Sequence, residues 1–190
     1  MLAARARRSD AEAVFLCGLI DTNVGEVLAA LRRALPSVPV IGCDGLLPAS
    51  LLFERAGPAA RATYVSIEGL VNERLGAAGK TFLRDFSATQ PGAKVDIAAV
   101  YAAQAAELLL DAIARSNGTR ASVSSELFET RVRDGLLGSF AIDVNGDPTA
   151  TPITILRLEH GGGTNVVANY EGARVDRVIM PPRRLLAQGG

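Results

Sequence analysis

The sequence predicts an α/β protein whose mainly parallel, doubly wound sheet is flanked by helices. Two observations carry this reading. Residues 13–18 form an unbroken apolar run closed by a glycine, the pattern of a strand buried on both faces of a parallel sheet. A helical pattern follows, and then a second apolar run, Val38-Pro-Val-Ile-Gly42, completes a strand–helix–strand unit whose crossover is right-handed.

The first helix is expected to be capped by Asn23, with Glu26 three residues on completing a capping box. Val27, Leu28, Leu31 and Leu35 recur at helical spacing until Pro36. A shorter helix is expected over 49–56, before Gly57-Pro58. Residues 62–67 are rich in β-branched and aromatic side chains and predict a third strand. Phe82, Leu83 and Phe86 mark an amphipathic helix over 76–88, which Gln90-Pro91-Gly92 ends and turns into a linker. The strongest helical pattern runs over 97–116, with Val100, Tyr101, Leu108, Ala112 and Ile113 on one stripe and Asn117-Gly118 as the stop. A helix over 122–133 begins at a serine cluster.

From Leu136 the period shortens to that of strands: residues 137–142, a turn at Asn145-Gly146, and residues 152–159. In the last of these, Ile153, Ile155 and Arg157 share one face and Thr154, Leu156 and Leu158 the other. After Gly161 to Gly163, residues 165–170 are expected to return antiparallel, and Arg177 to Gly190 to run on as an extended arm.

Composition narrows the function classes. The 190 residues carry 20 basic and 20 acidic side chains, 48% hydrophobic residues and 21% charged ones. That balance predicts a globular chain and gives no electrostatic footprint for nucleic acid. Arginine supplies 18 of the 20 basic residues, in keeping with an alanine-rich, GC-biased coding sequence. The most apolar uncharged run, residues 97–106, is far short of the roughly 20 residues that span a bilayer. Asp10 and Glu12 interrupt the early apolar stretch, so no signal peptide is read there.

Motifs for catalysis are absent. His160 is the sole histidine and adjoins three glycines at a hairpin, which leaves no material for a serine triad or a histidine-rich metal site. Asp143, Asn145 and Asp147 resemble the start of a calcium loop, yet Pro148 and Thr154 stand where glycine and glutamate are needed, so a hairpin turn is expected. The three glycines lie between strands and do not open a helix, so they are no phosphate cradle. No cofactor is expected, nor an enzyme.

Two aspartates are more informative. Asp21 and Asp44 fall just past the carboxyl ends of the first two strands, where open α/β sheets place their ligands. Each either accepts bonds from a ligand ammonium or serves the chain locally, Asp21 by starting a turn and Asp44 by an Asx-turn with Gly45. Cys17 and Cys43 end the same two strands and are expected to be free thiols, since paired positions on parallel strands seldom meet disulfide geometry without strain.

In order along the chain, AEAVFLCGL, PVIGCDGL, AGPAARATYVSIEGL, VYAAQAAELLLDAI and GLLGSFAIDVNGDPT resemble the carboxyl-terminal half of a type I periplasmic binding protein. The branch they resemble is the branched-chain amino acid receptor group of ABC transporters. The resemblance covers residues 10–170 and implies two α/β lobes that close on a small ligand without chemistry. Residues 10–95 would then supply a second-lobe segment, 96–150 would complete the first lobe, 151–170 would form a returning hairpin, and 171–190 an extended tail. It also implies that the beginning of the family fold is lacking.

By that resemblance Asp44, in Cys-Asp-Gly45, matches the acidic residue that receives the ligand's α-ammonium. Leu19 and Ala98 match aromatic positions that pack on the ligand; being small or aliphatic here, they leave a roomier pocket and put branched-chain ligands in doubt. Tyr64 and Glu68 are further lining candidates. The partners implied are a small polar ligand, such as an amino acid or amide, and an ABC permease, at an extracellular or surface-tethered location. The alternative is a ligand-sensing domain with a fused output module, cytoplasmic if that module is a regulator. The 97–116 stripe would lack its covering sheet, which predicts either a homodimer or a rearranged compact monomer.

Overall fold

The computed structural model describes residues 2–92, 95–161, 170 and 172–181. In chain order the elements are α1 (Leu2–Arg7), β1 (Val14–Leu16), α2 (Val24–Ala34), β2 (Val40–Cys43), α3 (Ala49–Ala56), β3 (Tyr64–Glu68), α4 (Ala77–Ala88), α5 (Ile97–Arg115), α6 (Arg120–Phe128), β4 (Arg131–Gly135), β5 (Gly138–Ala141), β6 (Ile153–Leu158) and β7 (Ala173–Ile179). They divide into two compact units. The first holds the chain up to Gly69 together with Ile153–Ile179, and the second holds Leu70–Pro152.

The first unit is built on a five-stranded sheet ordered β1-β2-β3-β6-β7. The first three strands run parallel, while β6 is antiparallel to β3 and β7 to β6. Alternation along each strand sorts the faces. Cross-strand pairing lines up Leu16, Gly42, Val65, Leu156 and Val175 in one row, and Phe15, Ile41, Tyr64, Arg157 and Arg174 in the next. Val65 and Leu156 are completely buried and form the core with Val40, Ile67, Leu158 and the helix residues Leu28, Leu31 and Leu52. The expected split of residues 153–158 holds, with Thr154, Leu156 and Leu158 buried. Thr154 satisfies its buried hydroxyl by donating to the Gly69 carbonyl at 2.6 Å.

Arg32 ties α2 to the loops around it. Its guanidinium donates to the carbonyls of Val38 (2.9 Å), Ala59 (3.4 Å) and Ala62 (3.3 Å). Burial lowers its pKa, although an arginine stays charged at any ordinary pH. Arg32→Met keeps much of the stem and leaves these carbonyls unpaired; a loss of about 2 kcal/mol in urea unfolding is the expected result.

Several expectations need correction. β1 is an edge strand and is not buried on both faces: Phe15 is 65% exposed, at the edge end of a row in which Ile41, Tyr64 and Arg157 are half-buried. Asn23 makes no capping hydrogen bond at the start of α2. The helix expected over 122–133 ends at Phe128, where the Thr130 hydroxyl donates back to the Glu126 carbonyl, and Arg131–Gly135 pairs with β5 as a strand. The strand that returns along β6 is Ala173–Ile179, so Arg177 to Ile179 are sheet residues and not part of a free arm. The expected strand over 165–170 lies, apart from Tyr170, outside the described residues. The two compact units divide after Gly69, and α4 packs against α5 and β4.

In the second unit α5 is capped by Asp96, whose carboxylate accepts from the Ala98 amide at 2.8 Å. Its buried stripe is Val100, Gln104 and Ala112. Val100 therefore has the cover it was expected to lack, and the exposed row is Leu109, Leu110 and Ile113. Gly135 admits the Gln104 side chain, whose Oε1 accepts from the Leu137 amide at 3.3 Å; a Cβ at Gly135 would lie 2.4 Å from that oxygen. The acidic turn at 143–147 is a hairpin, with Asp143 Oδ1 accepting from the Asn145 and Asp147 amides at 2.8 and 3.0 Å. Among the described residues no helix is long and apolar enough to cross a membrane.

Candidate functional site

The candidate site stands at the carboxyl ends of β1 and β2, where parallel strands hand over to their helices. Two loops meet there. The first runs from Cys17 to Asn23; the second begins at Cys43 and makes a 3-10 turn over Asp44–Leu46, closed by the Leu47 amide donating to the Asp44 carbonyl at 2.8 Å. The Ile20 amide donates to the Gly45 carbonyl at 2.7 Å and joins the loops. That approach needs a glycine, for a Cβ at Gly45 would lie 2.4 Å from the Gly18 carbonyl oxygen and 3.1 Å from Leu19 Cδ2. Ile20 and Leu46 are buried beneath, at 8% and 0% exposure, so the backbone of both loops is anchored while their outer side chains stay in solvent.

Asp44 and Asp21 are those outer side chains. Both are exposed, and among the described residues neither carboxylate has a hydrogen bond or an ion pair. The Asx-turn expected as one alternative for Asp44 is not made, since its turn is closed by backbone alone. Leu19 is 62% exposed, and its carbonyl accepts from the Thr22 amide (2.9 Å) and hydroxyl (2.7 Å), which fixes the turn holding Asp21. An exposed carboxylate on a rigid turn, next to an exposed aliphatic side chain, can receive a cation and shelter the apolar part of the same molecule.

The other predicted residues are placed differently. Tyr64 pairs with Ile41 at the start of β3, two positions before the Ser66–Cys43 pair, so it lies toward the far end of the sheet from Asp44. Glu68 ends β3 and is exposed. Ala98 belongs to the second unit, in the first turn of α5.

Sequence reasoning missed Arg55. From α3 its Nη1 donates to the carbonyls of Ile20 and of Thr22 (3.1 Å), which clamps the first loop from outside. An arginine nine residues after a strand-end aspartate's turn carries no local signal for that contact. Both cysteines are free thiols, and their sulfurs are 3.9 Å apart. The hydrogen bond with Cys43 pushes the Cys17 thiol above its ordinary pKa because it holds the protonated form, and the charge of Cys43, desolvation and, least, the Asp44 carboxylate act in the same direction. Among the described residues no three histidine, cysteine, aspartate or glutamate side chains gather as a metal site.

No protein-family model matches the chain, and no curated protein sequence matches it. Solved structures do. The leucine-binding protein LivK of Thermotoga maritima superposes with a TM-score of 0.74 at 20% identity, over 95% of this chain and 48% of that one. The branched-chain amino acid transporter substrate-binding protein LivJ of Streptococcus pneumoniae, solved with isoleucine, gives 0.64 at 17% identity over 95% and 48%. A solute-binding protein of an ABC transporter from R. palustris, solved with benzoate, gives 0.59 at 18% over 94% and 48%. The chain thus spans about half the length of these structures, and what it shares with them over that span is the fold.

Proposed function

We propose that this chain supplies one side of a binding site for a small polar solute that carries a cationic group, an amino acid or amide, and that it performs no chemistry on it. The observation that carries the reading is Asp44: an exposed carboxylate at a strand end, unpaired among the described residues and held on a turn whose backbone is locked to the neighbouring loop through Gly45. A carboxylate left without an internal partner stabilises nothing in the fold and is free for an external one. The likeness to leucine- and isoleucine-binding proteins supports the class of ligand. The benzoate-bound neighbour has a ligand without an ammonium, so the fold alone does not specify one, and the discrimination falls to residues such as Asp44 and Leu19.

Closure of a second lobe over the ligand would bury it and strengthen its pairing with Asp44. In that role the protein hands its ligand to an ABC permease at the cell surface or outside the cell.

The test is a nuclear magnetic resonance titration of the chain with the common L-amino acids and their amides. At least one of them is expected to shift the amides of Leu19, Asp44 and Gly45. Asp44→Asn should weaken that compound by about 2 kcal/mol, roughly thirtyfold. Equal affinity would remove Asp44 from the site, and no shift with any compound would overturn the reading.

A further inference from the structure

The two cysteines take no part in the proposed binding of solute. They are the only two in the sequence, and they occupy the positions directly after the last register pair of β1 and β2, Leu16 with Gly42. Neighbouring strands run about 4.8 Å apart, inside the roughly 4.4–6.8 Å window of Cα separations that a disulfide can bridge. The sulfurs already lie 3.9 Å apart, Cys17 exposed and Cys43 half-buried. Adjacent positions on parallel strands seldom reach relaxed disulfide geometry, and strained, exposed disulfides are the ones that are readily reduced. These facts together describe a pair suited to switching and unsuited to permanent cross-linking.

We infer that Cys17 and Cys43 are a modification site, a reversible dithiol–disulfide couple that exchanges with small disulfides. Cys17, the more accessible, gives up its proton to solvent, and its sulfur attacks one sulfur of R–S–S–R and expels RS⁻. The Cys43 thiolate then attacks the Cys17 sulfur of the mixed disulfide, expels the second RS⁻ and closes the bond. The protein dithiol loses two electrons and two protons, and the small disulfide becomes two thiols. The bond formed ties the loop that begins at Gly18 to the turn that begins at Asp44.

The experiment equilibrates the 190-residue chain with oxidised glutathione and then with reduced glutathione. Expected are loss of both free thiols, an intact mass lower by about 2 Da for the two hydrogens removed, and a tryptic cross-link between the peptides holding Cys17 and Cys43, all reversed by reduced glutathione. Cys43→Ala should stop at a single glutathione adduct on Cys17. In urea the 26-residue separation alone sets the effective concentration, near the millimolar range for a flexible link, so the native chain should favour the internal bond by at least about tenfold over the denatured one. Separate adducts on both cysteines, a bond between chains, or no native advantage over urea would each overturn the assignment.

Discussion

Leu156→Ala is expected to lower the unfolding free energy of the first unit by about 3 kcal/mol, within the 2–5 kcal/mol range for a leucine cut to alanine in a packed core. Leu156 has no exposed surface and sits at the middle of β6, paired with Val65 of β3 on one side and Val175 of β7 on the other. Its loss empties the row on which the two halves of the sheet meet, and the neighbouring Thr154 and Leu158 are themselves buried and cannot move in to fill the space. Urea unfolding measures the size, and hydrogen exchange at the β3 and β6 amides locates it. Ile155→Ala, on the half-buried face of the same strand, serves as comparison and should cost under half as much. Equal costs would mean that the two faces of β6 are not differently packed.

Gly45→Ala is expected to destabilise the chain by about 3 kcal/mol, combining overpacking of about 2 kcal/mol with about 1 kcal/mol for a lost hydrogen bond. The new methyl would stand 2.4 Å from the Gly18 carbonyl oxygen, a backbone atom that cannot rotate away, so the loops must part and the Ile20–Gly45 bond with them. Asp44 moves with its turn, so ligand-induced shifts at Leu19 and Asp44 should vanish together with the stability. Gly76→Ala is the control, since nothing lies within 4 Å of a Cβ there and its φ is not positive. A stable Gly45→Ala would show that the two loops are not held in contact.

Much of the local structure was legible. The spacing of Leu28, Leu31 and their neighbours, the alternation over 153–158, and the proline and glycine stops gave helices and strands close to those observed, because these signals act within one turn or one pleat. The place of Asp44 was legible for a similar reason: it follows an apolar strand immediately, and the structure puts it, exposed, at that strand's carboxyl end. The misses have physical causes. Residues 131–133 continue a helical composition, yet their pairing with β5 outweighed a weak helical preference. Phe15 is as apolar as a core residue, and only the strand's place at the sheet edge left it in solvent.

By itself, then, the amino-acid sequence determined which segments are helix or strand, which face of β6 is buried, and where along the chain a carboxylate meets a strand end. Only the tertiary structure decided partners. It set β6 against β3, with Thr154 bonded to a carbonyl 85 residues away; it placed the crossing between units after Gly69; it laid β7 along β6; and it brought Arg55 to the first loop and Cys17 to Cys43. Periodicity and capping report interactions across three or four residues, whereas the choice among strand partners depends on the apolar surface that whole elements bury together, a quantity that no single stretch of sequence contains.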